Sequence, residues 1–180
     1  MALDDIRVYQ APLGGHTRVQ HWRVNAAEGF FRGEPVSVNA DGELTESADD
    51  PQDEDIMGIA ASDGVVGTTY DFKTGTAMVT GALIPVIIPD SNTYFVCNNF
   101  GTTSEQFDQD LVVANLGDEA GLELVSGTWG INTGAANNTC RIIDLLDADG
   151  NSIQDSGGTV VQCVFLIVAH QSVVVDAPAA

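Results

Sequence analysis

Apolar residues in this chain come in short runs, each cut off by Gly, Asn, Asp or Thr, and 19 glycines supply many of the cuts. Runs of that kind, ended by residues that tolerate tight turns, favour strands over helices. The stretch Gly33 to Gly64, GEPVSVNADGELTESADDPQDEDIMGIAASDG, shows the pattern most fully. Val36 and Val38 alternate with Ser37 and Asn39, the period of a strand with one buried face. Asp41-Gly42 suits the positive φ values of a tight hairpin, and Leu44 begins the return strand. Ile56-Met57-Gly58-Ile59-Ala60 then makes a third, more buried run that ends at Asp63-Gly64.

The same reading continues down the chain. Strands are expected at Thr76 to Thr80, Gly81 to Pro89, Thr93 to Cys97, Leu111 to Leu116, Gly121 to Ser126, Thr128 to Asn132, Thr139 to Leu146 and Val160 to His170. Pro85 and Pro89 confine their run to an edge or to strand ends, because proline donates no ladder hydrogen bond. VVQCVFLIVAH, residues 160 to 170, is apolar almost throughout and belongs in the middle of a sheet. Asn98 to Asp110 reads as a polar loop with a short helical turn around Glu105-Gln106-Phe107, and Asp149-Gly150 as a hairpin between Leu146 and Ile153. The fold expected is therefore all-β, a β-barrel or β-sandwich with little helix and an extended N-terminal arm. Residues 1–25 form the arm, 26–172 the barrel or sandwich domain, and 173–180 an edge strand and tail.

Charge narrows the function. The chain carries 26 acids against six lysines and arginines, a formal net charge of −20, which repels nucleic acid. Residues 1–32 hold Arg7, Arg18, Arg23 and Arg32 against three acids, a net of +1, so the remainder stands at −21. No segment approaches the roughly 18 uninterrupted apolar residues of a membrane span, and the start MALDDIRVYQ lacks the apolar core of a signal peptide, so synthesis in a cytoplasm is expected.

Chemistry is sparse. Cys97, Cys140 and Cys163 are widely spaced and lie in strand-like runs, which indicates buried thiols and no disulfide framework. His16, His21 and His170 offer no zinc spacing. The Asp49 to Asp55 connection could offer oxygens to a hard cation, but without a centring glycine it reads as a solvated, self-repelling loop. Asp147-Ala148-Asp149-Gly150 departs from the calcium-loop pattern, its glycine falling at the fourth position. No nucleophile motif, phosphate loop or Cys-x-x-Cys is present. The expectation is a non-enzyme with no cofactor and no metal.

Residues 17 to 24 alternate Arg18, Gln20 and Trp22 with Val19, His21 and Arg23. The segment reads either as a first strand after a frayed terminus or as an arm packed on another molecule, and Arg with Trp is the pairing enriched at protein interfaces. On the arm reading, the contact residues are Arg7, Tyr9, Arg18, Trp22 and Arg23.

Phe31-Arg32-Gly33-Glu34-Pro35-Val36-Ser37-Val38, the hairpin after it and Ile56-Met57-Gly58-Ile59-Ala60 resemble the opening β-barrel of small structural proteins of tailed-bacteriophage heads, called decoration, head-stabilisation or cement proteins. Gly117-Asp118 and Gly127-Thr128-Trp129-Gly130, ahead of two long strands, extend the resemblance over residues 26 to 170. The resemblance implies a virion protein made in the host bacterial cytoplasm that binds the outer capsid surface and bridges major capsid protein subunits. A homotrimer is the favoured assembly, with a dimer as alternative. The competing expectation is a carbohydrate- or host-surface-binding β-sandwich module, for which Tyr70, Tyr94 or Trp129 would have to line an exposed groove.

Overall fold

A computed structural model describes residues 6–10, 17–25, 29–52, 55–64, 70–71, 76–77, 81–91, 93–101, 111–153 and 158–168. The fold is all-β. In chain order the strands are β1 (Arg7–Gln10), β2 (Val19–Arg23), β3 (Pro35–Val38), β4 (Leu44–Glu46), β5 (Gly58–Ala60), β6 (Tyr70–Asp71), β7 (Thr76–Ala77), β8 (Leu83–Ile87), β9 (Tyr94–Gly101), β10 (Glu119–Val125), β11 (Thr128–Asn132), β12 (Cys140–Leu146) and β13 (Gln162–Ile167). They form a six-stranded sheet, a five-stranded sheet and the small β6–β7 pair. The two large sheets pack on one another, because Ile56, Ile59 and Ile87 of the second join the core of the first.

In each large sheet the pairings run on until they return to their start. From β9 the neighbours are β13, β12, β10 and β11, and β11 pairs parallel with β9. From β2 they are β8, β5, β3 and β4, and a parallel bridge from Leu44 to Val24 leads back to β2. Numbered along the chain, both rings read first, fifth, fourth, second, third, with the third-to-first contact the sole parallel one. The register agrees as well. Gly33 N donates to Ala60 O at 2.9 Å and Ala60 N to Glu34 O at 2.9 Å; in the other ring Gly117 N donates to Ile142 O at 2.9 Å and Ile142 N to Asp118 O at 3.0 Å. Both glycines need the left-handed region, at φ 91° and 89°. From there Ala60 faces Val86, which faces Gln20, just as Ile142 faces Phe165, which faces Phe95.

Each ring fills its own interior. Val24, Val36, Leu44, Ala60, Ile84, Val86 and Ile88 close on Phe30 in the N-terminal ring. In the C-terminal ring Leu122, Trp129, Ile131, Ile142, Phe95 and Phe165 do the same, the two phenyl rings stacked with centroids 5.8 Å apart.

The acidic connection fastens the rings together. Asp49 Oδ1 accepts from Leu124 N at 2.8 Å, while Asp50 Oδ2 accepts from Ala136 N at 3.0 Å and its carbonyl from Asn137 Nδ2 at 2.7 Å. Gly121 makes room for this clip, since a Cβ there would collide with Ala135 and the Asn137 carbonyl. The first two acids, Asp49 exposed and Asp50 half-buried, are thus tethered to the C-terminal ring and do not form a loose loop; Asp53 and Glu54 lie outside the described residues.

Five further expectations are corrected. Residues 7–10 and 19–23 are strands of the two sheets, so the N-terminal segment is no free arm but the alternative first strand, and β1 extends the larger sheet. Leu111 to Leu116 is no strand: the Asn115 side chain accepts from Val112 N at 2.9 Å and closes a 3-10 turn over Val113–Asn115. Asn98 to Gly101 continue β9, while 102–110 lie outside the described residues. Pro85 sits in a strand paired on both sides; its carbonyl accepts from Ala61 N at 3.0 Å just beyond the last β5 pair, so the missing N–H costs one terminal bond. In the Asn39 hairpin only Gly42 takes positive φ, 77°, and the Asn39 side chain accepts from Asp41 N and Glu43 N.

The Asp147 hairpin is built the same way. Asp147 Oδ1 accepts from Asp149 N and Asn151 N, both at 2.9 Å, and Gly150 takes φ 82°. β13 is central as expected, flanked by β12 and β9. Residues 169–180, with the expected edge strand and tail, lie outside the described residues.

Candidate contact surface

Strand alternation turns one set of β2 and β8 side chains into the N-terminal ring and the other set outward. Inward go Trp22, Val24, Ile84 and Val86. Outward go Val19, His21 and Arg23 on β2, opposite Ile87, Pro85 and Leu83 on β8. At one end of this outer face Ile87 and Ile59 are packed against the C-terminal ring. At the other end nothing covers the face among the described residues: Leu83 is 62% exposed, and along β2 Arg23, His21 and Val19, the last at 46%, are exposed too. Large aliphatic side chains left open beside a guanidinium make a surface suited to another protein.

Its electrostatics are local. Between Asp5 and Glu28 the chain has no acid, while Arg7, Arg18 and Arg23 fall in that interval, so β1 and β2 are the cationic part of a strongly anionic molecule. Arg23 stands directly across from Leu83. With the Gln20 amide turned so that its oxygen faces the guanidinium, Arg18 Nε donates to it at 3.2 Å.

The five residues singled out from sequence separate. Arg18 immediately precedes β2 and Arg23 ends it, and Arg23 is on the open face. Trp22 is not: its half-buried ring packs on the inner cluster, and its Nε1 is enclosed without a hydrogen-bond partner. Arg7 and Tyr9 are exposed on β1 in the other sheet, where Arg7 Nη2 donates to Gln162 Oε1 at 3.3 Å. Val19 and Leu83 were missed. The alternation of Val19 with Arg23 was visible, but Leu83 joins them only through a pairing between distant strands.

The remaining chemistry is quiet. Among the described residues no group of three or more His, Cys, Asp or Glu could hold a metal. A hollow of about 500 Å³ beside the Asp147 hairpin is lined by Asp149, Ser152, Thr159 and Val161, but the Asp147 carboxylate is already bound by its own turn. That binding, chiefly from Asn151, holds its pKa below the ordinary carboxylate value. Cys97, Cys140 and Cys163 are buried free thiols. Burial pushes Cys140 up to about 12, despite a Thr139 hydrogen bond that acts the other way. Burial pushes Cys163 up too, with Cys140 and Asp144 adding to it. Thiols held protonated in a core are poor nucleophiles and poor ligands.

Among the described residues no helix is long and apolar enough to cross a membrane. No protein-family model matches the sequence, and comparison with curated proteins returned no relative.

Proposed function

We propose that this chain is a structural protein of a tailed-phage head, binding the outside of the assembled capsid and cementing contacts between major capsid protein subunits. The observation that carries the reading is the open β2–β8 face, where exposed Leu83 lies across from Arg23 and exposed Val19 stands at the far end of the same strand, on a molecule of net charge −20. A cement protein needs a stiff body, one adhesive face and a soluble remainder. The paired rings supply the first, this face the second, and the acids the third. Copies on a shell meet repeated sites around symmetry axes, so a closed homo-oligomer, a trimer before a dimer, would multiply a modest single contact.

The carbohydrate-binding alternative needs aromatic side chains along a groove. Trp129 is fully buried and Tyr94 half-buried, while the Tyr70 side chain lies outside the described residues. Nothing on the surface favours that reading over the first.

Co-sedimentation with emptied capsids tests the proposal. Deleting residues 1 to 20 would strip β1 and part of β2, so charge reversal is the cleaner variant. Arg18→Glu with Arg23→Glu should abolish co-sedimentation while leaving the circular-dichroism spectrum and melting temperature unchanged. Capsid binding at wild-type affinity by this folded double variant would refute the assignment of the face, and failure of the wild-type chain to bind any capsid would refute the function.

A further inference from the structure

The two rings match strand for strand, and the match isolates one difference at a strand edge. In the C-terminal ring β9 has β13 along one edge, since Val96 pairs with Val164 and Asn98 with Gln162. Its other edge is shared: β11 takes Asn98 onward and β1 takes Tyr94–Val96. The counterpart of β9 in the N-terminal ring is β2, with β8 along one edge and β4 touching the other at Val24 alone. Because Gln20 occupies the register position of Phe95, the residues that correspond to Tyr94–Val96 are Val19 to His21. Among the described residues, no strand lies beside them.

The backbone there points at the gap. Ile88 N donates to Arg18 O at 2.8 Å, Val24 N to Ala82 O at 3.0 Å and Gly81 N to Val24 O at 2.9 Å, so Arg18 and Val24, and Gln20 and Trp22 between them, direct their peptide groups toward β8. By alternation the peptide groups of Val19 and His21 and the Arg23 N–H face the open edge, which ends at the Arg23 carbonyl, where the parallel Val24–Leu44 bridge begins and Asn25 N reaches Leu44 O at 3.1 Å.

We propose that the edge of β2 at Val19–Arg23 accepts an added antiparallel strand from a partner protein, an extended segment that carries acidic side chains. The geometry is already used once in this molecule, by β1 on β9. An added strand satisfies the free backbone groups, and side chains across the pair set its identity. Arg18 and Arg23 with no acid between Ile6 and Ala27 call for an acidic neighbour, since opposite charges across a strand pair stabilise and like charges destabilise. The same rule disfavours a second copy pairing β2 against β2, which would set one arginine-bearing strand beside another.

The inference goes beyond the capsid reading and does not need a shell to be tested. The full-length chain is mixed with a capped synthetic heptapeptide alternating Glu with Thr and Val, or with its Lys-for-Glu counterpart, and amide exchange is followed residue by residue. The acidic peptide should slow exchange at Val19, His21 and Arg23, and the lysine peptide should leave it unchanged. His21→Pro removes an N–H that faces the open edge, so it should lose the protection while keeping the melting temperature. Arg23→Glu, a surface change that leaves every backbone bond in place, should weaken the acidic peptide's effect. No slowing with the acidic peptide, equal slowing with the lysine peptide, or protection of these amides in the lone chain that grows with its concentration would each overturn the proposal, the last by making a second copy the occupant. Peptide docking without capsid binding would leave it standing and remove only the cement function.

Discussion

The N-terminal and C-terminal rings share an order of strands and a register, but they share almost no residues at equivalent places. Val36 corresponds to Ala120, Gly58 to Cys140 and Trp22 to Cys97, each pair inward or buried and none identical. What repeats is the placement of apolar side chains and a glycine-acid step, Gly33-Glu34 and Gly117-Asp118, that turns the chain into the second strand. The rings differ most on their outer faces. Where the C-terminal ring buries Val96 and Val164, the N-terminal ring exposes His21 and leaves Pro85 half-covered. One ring is covered on that side and the other is left open among the described residues, so the same framework carries a buried outer face in one half and an exposed one in the other.

The largest test of this contrast lies in the cores. Trp129 fills the C-terminal ring at full burial, so Trp129→Ala should cost about 3–5 kcal/mol in denaturant unfolding. Trp22→Ala, at a half-buried position, should cost about half as much. Equal losses would mean that the N-terminal interior is packed as tightly as its partner and that the rings differ only outside.

A smaller effect is expected where the rings are joined. Asp50→Ala removes a carboxylate that accepts from two backbone N–H groups across the junction, and about 2 kcal/mol should be lost. If the rings unfold together, denaturation should remain a single transition that moves to lower denaturant. Separation into two transitions in the variant would show that Asp50 couples otherwise independent units.

The smallest effect separates the two hairpins. Residues 39–43 and 147–151 are wrapped around a side chain that accepts from the same two turn amides, but one is Asn39 and the other Asp147. Because the folded turn depresses the Asp147 pKa, its contribution is full above the ordinary carboxylate value and fades as pH falls through the lowered one. Amide exchange in acid should therefore quicken at Asp149 and Asn151 and stay level at Asp41 and Glu43. Parallel loosening of both would place the acid sensitivity elsewhere.

Much of the strand content was legible because it depends on neighbours. Thr128–Asn132 is a strand at the expected bounds, β13 is central, and Gly42 and Gly150 sit at turns, all from patterns within a few residues. What escaped depends on distant partners. Asp49 and Asp50 look like solvated acids until Leu124 and Asn137 arrive from far along the chain. Pro85 looks barred from a central strand until its missing N–H proves to fall just past the end of β5. The open face escaped in part for the same reason, since Leu83 reaches Arg23 only once β2 and β8 pair. The matching rings were invisible because hydrogen-bond register repeats while side chains do not.

Ring closure by a parallel contact has a bearing on the order of assembly. Hairpin β3–β4 joins neighbours in sequence, and such local pairs form early, whereas each ring is completed by contacts between its first strand and its third and fifth. On a ribosome the N-terminal ring has all its strands by Ile87, but β9 must wait for β13, near the far end of the chain. β1 is made ahead of both rings and has no partner until Tyr94 emerges. The N-terminal ring can therefore close around its own core while the strand ahead of it is still unpaired, which makes β1 the last early-made piece to find its place.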